Sequence, residues 1–170
     1  GGASDIARDI PGCPDEQKRV VALTLGETRI VSAYMPNGQE VGSDKYAYKL
    51  AWFAALAAWL GEELARWPRL ALLGDFNVAP EDRDVHDPAA WRERILCSTP
   101  EREAFRRLLA LGLADAFRLF EQPPKPWSWW DYRNLAFRKN QGLRIDHILV
   151  SPALKPHVTA CVIDKAPRKN

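Results

Sequence analysis

The sequence predicts an α/β sandwich, and three observations carry that expectation. Two β-rich runs, 19–25 and 28–34, are separated only by the end of one and the start of the next around Gly26-Glu27. Between residues 44 and 67 apolar side chains recur at helical spacing, and the nearly all-apolar run 69–74 follows at once. A hairpin, a covering helix and a strand buried on both faces belong in a layered arrangement of sheet and helix.

Each element has its own signal. The short joint at Gly26-Glu27 predicts an antiparallel hairpin. The helix over 44–67 begins after Ser43 or Asp44 as N-cap, and Pro68 ends it. Tyr46, Leu50, Phe53, Ala57, Leu60, Leu64 and Trp67 form its apolar stripe, widened by Trp52 and Trp59. After a loop rich in aspartate, Thr99-Pro100-Glu101 opens a second helix through Phe105, Leu108, Leu109 and Leu111 that stops at Gly112. Residues 127–132 read as an extended aromatic segment, 143–150 as a strong strand and 158–163 as a further one.

Composition sets the outer limits. At 170 residues and 46% hydrophobic the chain can bury a core, and its length predicts a single domain over 1–170. No apolar run reaches the roughly 20 residues of a membrane span, and the chain reads as lacking a secretory leader. Cys13, Cys97 and Cys161 show no paired spacing and read as reduced thiols, so a cytoplasmic location is expected. A net charge of +2 permits nucleic-acid binding only where basic residues gather on one face. Residues 1–5 are expected to form no element, and 165–170 are polar; both read as cuts through a longer protein or as flexible tails.

Four motifs bear on chemistry. Leu72-Leu73-Gly74-Asp75-Phe76-Asn77 ends an apolar strand and presents a carboxylate and a carboxamide two residues apart, where α/β proteins place sites; an Asx turn leaving a strand reads the same way. In Arg144-Ile145-Asp146-His147-Ile148-Leu149-Val150, Asp146 falls in an apolar strand and needs a partner, either catalytic or a structural ion pair with Arg144. His147 points to the other face and reads as a satisfied sheet histidine. Tyr34-Met35-Pro36-Asn37-Gly38 delivers a tyrosine to a turn, an ordinary arrangement on its own. Trp127-Ser128-Trp129-Trp130-Asp131-Tyr132-Arg133, followed by Arg138, Lys139 and Arg144, interleaves rings with cations as a DNA-binding surface does, or else packs a core. Three tryptophans in four residues cannot all face inward, so one of them is expected to be exposed.

These four motifs, in this order and spacing, resemble the exonuclease III and abasic-site endonuclease family of the endonuclease/exonuclease/phosphatase superfamily, from about Asp15 to the C-terminus. The resemblance implies part of a four-layered α/β sandwich, two mixed sheets flanked by helices, without the N-terminal strands and the C-terminal end. It implies a DNA-repair nuclease using magnesium or manganese (Mg²⁺ or Mn²⁺) on double-stranded DNA with abasic sites or 3′ ends. Asp75 would orient or deprotonate the attacking water, with Asn77 holding phosphate or metal-bound water. Tyr34 would bond the scissile phosphate, Asn37 would touch it, and Asp146 would orient a histidine. Trp129 is similar to the family's groove-inserting aromatic, with Arg133 and Arg144 among the DNA-facing cations, and Asp75 and Asn77 would ligate the metal.

The family's Gln-Glu metal motif and its Ser-Asp-His-x-Pro motif are absent from the sequence. The chain alone is therefore expected to bind metal poorly and to cleave negligibly. Uncovered sheet surface is expected to drive self-association or capture a complementing fragment. Phosphoinositide phosphatases and sphingomyelinases share the Gly-Asp-x-Asn strand end, but the Trp-rich loop and Gly142-Leu143-Arg144-Ile145-Asp146 favour DNA. A non-catalytic DNA-binding fragment and an inactive remnant are the other readings.

Overall fold

The computed structural model describes residues 2–13, 17–133 and 135–166. Asp15, where the family likeness was expected to begin, and the last four residues of the polar C-terminal run lie outside them. The fold is mixed α/β. Six strands form one sheet in the order β1 (Ser4–Ala7), β2 (Val20–Leu25), β3 (Thr28–Ala33), β4 (Arg69–Asp75), β8 (Asp146–Val150), β5 (Ala114–Asp115), and β6 (Trp129–Trp130) pairs with β7 (Gly142–Leu143) in a small second sheet. The predicted hairpin is β2–β3, in antiparallel register from Val20 opposite Ala33 to Leu25 opposite Thr28. β3 and β4 run parallel, and β8 runs antiparallel to β4.

Parallel neighbours need a crossover, and α1 (Asp44–Arg66) provides it. The Ser43 side chain accepts the Tyr46 N–H at its N-terminus, as the sequence indicated. Its buried stripe is rotated from the expected one. Tyr46, Trp52, Phe53, Trp59 and Leu60 are buried, Leu56 joins them, and Leu50, Ala57 and Leu64 are only half-buried. Lys49 and Glu63 take the remaining places on the inner face because each meets an opposite charge there. The Arg29 guanidinium of β3 lies 2.5 Å from Glu63, donates to the Asp5 carbonyl at 2.6 Å and stacks 4.3 Å from the Trp67 ring, so one side chain ties β1, β3 and α1. The helix α3 (Thr99–Ala110) packs beside α1, opened by a reciprocal Ser98–Glu101 capping box and closed at Gly112, where φ is +95°. Both helices cover the same face of the sheet, and most of the apolar core lies between.

Four other expectations change. Of residues 1–5, expected to form no element, Ser4 and Asp5 open edge strand β1, because the backbone there pairs with β2. The expected strand 143–150 is broken: Arg144 donates its N–H to the Asp84 carbonyl, which separates β7 from β8. Of 127–132 only Trp129–Trp130 is strand. Residues 158–163 form no strand; Val158 and Cys161 pack on Ala71, Ala116 and Val150 instead.

A second buried network explains the break. Arg144 is 1% exposed, and its Nε and Nη2 each lie 2.7 Å from a carboxylate, Asp84 and Asp115 respectively. Arg118 also pairs with Asp84. The Arg144 Nη1 donates to His147 Nδ1 at 3.0 Å, so the imidazole proton must sit on Nε2, which donates to the Val78 carbonyl at 2.9 Å. Burial and the Arg144 charge push the His147 pKa down to about 3. The satisfied sheet histidine read from the sequence is what the fold contains.

Two outcomes follow from these contacts. A Cβ on Gly74, whose φ is +140°, would lie 2.0 Å from the Ala33 carbonyl oxygen. Gly74→Ala should therefore destabilise the chain by about 3 kcal/mol or more through overpacking and backbone strain, read as a lower urea midpoint; an unchanged midpoint would contradict the close approach. His147 is held neutral, so the stability it contributes is present above the ordinary histidine pKa of about 6.5 and is lost as pH falls from there toward about 3. Unfolding free energy should fall with a slope of up to about 1.4 kcal/mol per pH unit in that window, and His147→Gln should flatten it; a wild-type profile as flat as the variant's would refute the neutral assignment.

Candidate active site

Because β3 and β4 are parallel, both deliver their C-terminal ends to one edge, and antiparallel β8 begins there. The ladder continues past the strands: Met35 N–H donates to the Asp75 carbonyl at 2.9 Å and Phe76 N–H to the Ile145 carbonyl at 2.9 Å. Asp75 and Asp146 occupy directly paired positions, so their carboxylates leave the same face side by side. The three predicted segments, led by Tyr34, Asp75 and Asp146, therefore do meet.

Asp75 is half-buried, and its Oδ1 accepts the Asn77 N–H at 2.9 Å, an Asx turn. The Asx turn read from the sequence is therefore present, and it also fixes the direction of the carboxylate. Burial, reinforced by the Asp146 charge and opposed by the Asn77 N–H and Lys49, raises the Asp75 pKa to about 6. Asn77 sits in the left-handed region at φ +50° and is buried. Its Nδ2 donates to the Met35 carbonyl at 2.9 Å and its Oδ1 accepts from Asn37 Nδ2 at 3.1 Å. The two carboxamides thus lock the loop after β3 to the loop after β4.

Tyr34 is 51% exposed and carries the Arg19 guanidinium 5.2 Å from its ring centre. Tyr34 and Asp75 line a cleft of about 490 Å³ with Arg8, Lys18 and Arg19. Asp75 and Asp146 line an adjoining one of about 250 Å³ with Ser128 and Cys161. Asp75 is common to both. Asp146 was expected to be a costly buried carboxylate; it is exposed, because as the first residue of β8 it faces away from the helices. The Ser128 hydroxyl accepts the N–H groups of Ile145 and Asp146 at 3.0 and 3.1 Å and so fixes where that carboxylate starts.

The aromatic and basic segment differs most from expectation. Trp127 and Trp130 are buried and Trp129 is half-buried against Leu143 and Ile145, so none of the three is exposed. The exposed ring is Tyr132, at 92%, because β6 ends at Trp130 and the chain turns outward. Arg133 is exposed and paired with Asp131 at 2.9 Å. Arg144, expected to face DNA, cannot do so: both its carboxylate partners and its position are interior. Sequence reasoning missed Arg8, Lys18 and Arg19 at the cleft, Ser128, and the buried Lys49–Glu101 pair behind the site. A lysine at a helix position otherwise reserved for apolar residues was the one available signal.

No group of three or more metal-ligating side chains occurs among the described residues. The pair Asp75 and Asp146 does fit part of a hard cation's oxygen shell: burial and, to a lesser degree, the Asp146 charge raise the Asp75 pKa, and a cation would offset both. Asn77 is a poorer candidate than the sequence indicated, since both ends of its carboxamide are bonded within the protein.

Comparison with known proteins agrees with this geometry. Residues 5–168 match the endonuclease/exonuclease/phosphatase family. An exodeoxyribonuclease of Bacillus subtilis is 35% identical over 85% of this chain and 57% of its own length, and exodeoxyribonuclease III of Haemophilus influenzae is 34% identical over 82% and 57%. The chain thus spans a little over half the length of these curated relatives. Among solved structures, a Neisseria 3′ phosphatase bound to a product DNA hairpin superposes with a TM-score of 0.88 at 44% identity, covering 91% of this chain and 61% of that one. An AP endonuclease from Archaeoglobus fulgidus gives 0.90 at 29% identity, covering 98% and 65%. The chain belongs to the endonuclease/exonuclease/phosphatase family, on its exonuclease III and AP endonuclease branch.

Proposed function

We propose that this chain carries the water-activating and phosphate-holding part of a DNA nuclease that hydrolyses phosphodiesters at abasic sites and 3′ ends. The observation that carries the reading is Asp75, a carboxylate with its pKa raised to about 6, standing between a cleft lined by Tyr34 and cations and a second carboxylate, Asp146. A base poised near neutral pH can take a proton from water and release it again. Tyr34 lines the same cleft, where Arg8, Lys18 and Arg19 would offset phosphate charge. Asn37 and Asn77 hold the two loops in register. A bound magnesium or manganese ion would supply positive charge at the phosphoryl oxygens; Asp75 and Asp146 are the residues that would hold it, and a cation there would lower the Asp75 pKa, leaving Asp75 to orient the water rather than to take its proton. Tyr132, Arg133 and half-buried Trp129 form the edge that would meet the duplex.

A second reading has its own support. The Neisseria neighbour at 44% identity is named a 3′ phosphatase. Removal of a terminal 3′ phosphate would use the same water and the same cations, with the 3′ oxygen of the DNA as leaving group and inorganic phosphate as the product.

In a protein carrying this sequence at the full length of its relatives, Asp75→Asn should reduce cleavage on the order of a thousandfold, assayed on duplexes bearing an abasic site, a plain 3′ end or a 3′ phosphate; an Asp75→Asn protein as active as wild type would end the nuclease assignment. Among the described residues the site holds two carboxylates, and the chain by itself is expected to cleave negligibly; robust magnesium-dependent incision by the purified chain would overturn that. Ile6, Val21, Leu25 and Ile148 are exposed, and Val21 and Ile148 lie on the sheet face opposite the helices, so the isolated chain should self-associate in sedimentation and bind a hydrophobic dye; a dye-silent monomer would count against this.

A further inference from the structure

The Lys49 ammonium, fully buried on α1, has three partners: the backbone carbonyl of Asn37 at 3.1 Å, the backbone carbonyl of Asn77 at 2.7 Å, and the carboxylate of Glu101. An ammonium has three N–H donors, so all are used. Two of its partners belong to the loops that carry the candidate site, one after β3 and one after β4. The third anchors the tripod to α3. Glu101 is itself fixed, accepting from Leu96 N–H at 3.1 Å, Ser98 N–H at 3.1 Å and the Ser98 hydroxyl at 2.6 Å.

We propose that Lys49, backed by Glu101, is a positioning device for the site: its ammonium clamps the Asn37 and Asn77 carbonyls together and so sets the distance between the two phosphate-holding loops. The inference rests on the nuclease reading only for its purpose; the clamp itself is a statement about this chain. A buried ion pair is a costly way to stabilise a fold, since apolar residues of similar size do as well or better. Here the pair does something that apolar residues could not, because among the described residues no other donor meets the two carbonyls that it holds. Asn77 turns the chain at φ +50°, a left-handed conformation that asparagine tolerates better than most non-glycine residues, and this turn is what directs its carbonyl to the ammonium. The side-chain bond from Asn37 Nδ2 to Asn77 Oδ1, at 3.1 Å, forms across the same junction. It depends on the spacing that the ammonium fixes.

Heteronuclear NMR on the whole chain tests this. In the unsubstituted protein the Lys49 Nζ group should give a slowly exchanging ammonium signal, coupled through hydrogen bonds to the carbonyl carbons of residues 37 and 77. A Lys49 signal exchanging like that of a surface lysine overturns the clamp. Substituting Lys49→Met together with Glu101→Gln removes both charges. It should move the side-chain amide resonances of Asn37 and Asn77 and speed exchange of those protons by roughly tenfold. The Trp127 indole N–H, bonded to the Asn140 carbonyl at 3.0 Å, should stay in place. A folded double variant with both asparagine amides unmoved overturns the proposal; if that variant does not fold, the ammonium signal decides. Adding nicked duplex DNA to the labelled wild-type chain reads the substrate assignment separately. Should the Asn37 and Asn77 amides ignore DNA while the ammonium couplings are present, the phosphate-holding role given to these two loops fails and the clamp stands.

Discussion

Parallel pairing of β3 with β4 governs the placement of everything else. Two parallel strands cannot be joined by a tight turn, so the 23-residue α1 must carry the chain back along the sheet, and in doing so it covers one face. The same pairing sends both strands to one edge, where the loops bearing Asn37 and Asn77 lie side by side. Antiparallel β8 on the far side of β4 then starts where β4 ends, which sets Asp146 beside Asp75. Gly74 lets this close: its φ of +140° and missing Cβ admit the Ala33 carbonyl one residue before the catalytic candidate. The site is a consequence of strand direction before any side chain is considered.

Charge is distributed unequally between the two faces. Under the helices, Arg29 meets Glu63 and Lys49 meets Glu101; around Arg144, Asp84 and Asp115 complete the pairing. Removing one member of such a pair strands the other in a poor solvent, which is why these contacts fix relative positions more firmly than their net stabilisation suggests. At the opposite face the logic reverses. Asp75 and Asp146 are set next to each other, and their repulsion adds to burial in raising the Asp75 pKa. A fold that neutralises its interior charges so thoroughly yet leaves two carboxylates adjacent at a cleft has kept an unfavourable arrangement where chemistry can use it.

What could be read beforehand was set by local periodicity. The hairpin, α1, β4 and α3 each announce themselves through spacing and caps, and Asp75 is visible because a strand visibly ends there. The failures have a common cause in long-range pairing. Nothing near Arg144 in sequence shows that Asp84 and Asp115 will bury it, so it passed for a DNA contact, and the break it makes between β7 and β8 was missed with it. Lys49 was passed over because its partner, Glu101, lies on a different helix. Alternation along an assumed strand predicted an exposed tryptophan; the strand is two residues long, and the chain turns so that Tyr132 is presented instead.

The register of the sheet connects stability to the site. Val21, Ser32, Leu73 and Ile148 are paired in turn across β2, β3, β4 and β8, so they share the face turned away from the helices, and Asp75 with Asp146 continues that face two residues further along β4. Any layer that buries Val21, Leu73 and Ile148 must therefore run up to the two carboxylates and to Tyr34. Covering the apolar rows would withdraw water from the carboxylates at the same time, which raises the cost of their charge and strengthens whatever cation or donor meets them. Burial of this face and drying of the carboxylate pair would, on this geometry, be one event. Apolar surface would supply the favourable free energy for it, and part of that energy would go into bringing two like charges into a drier place.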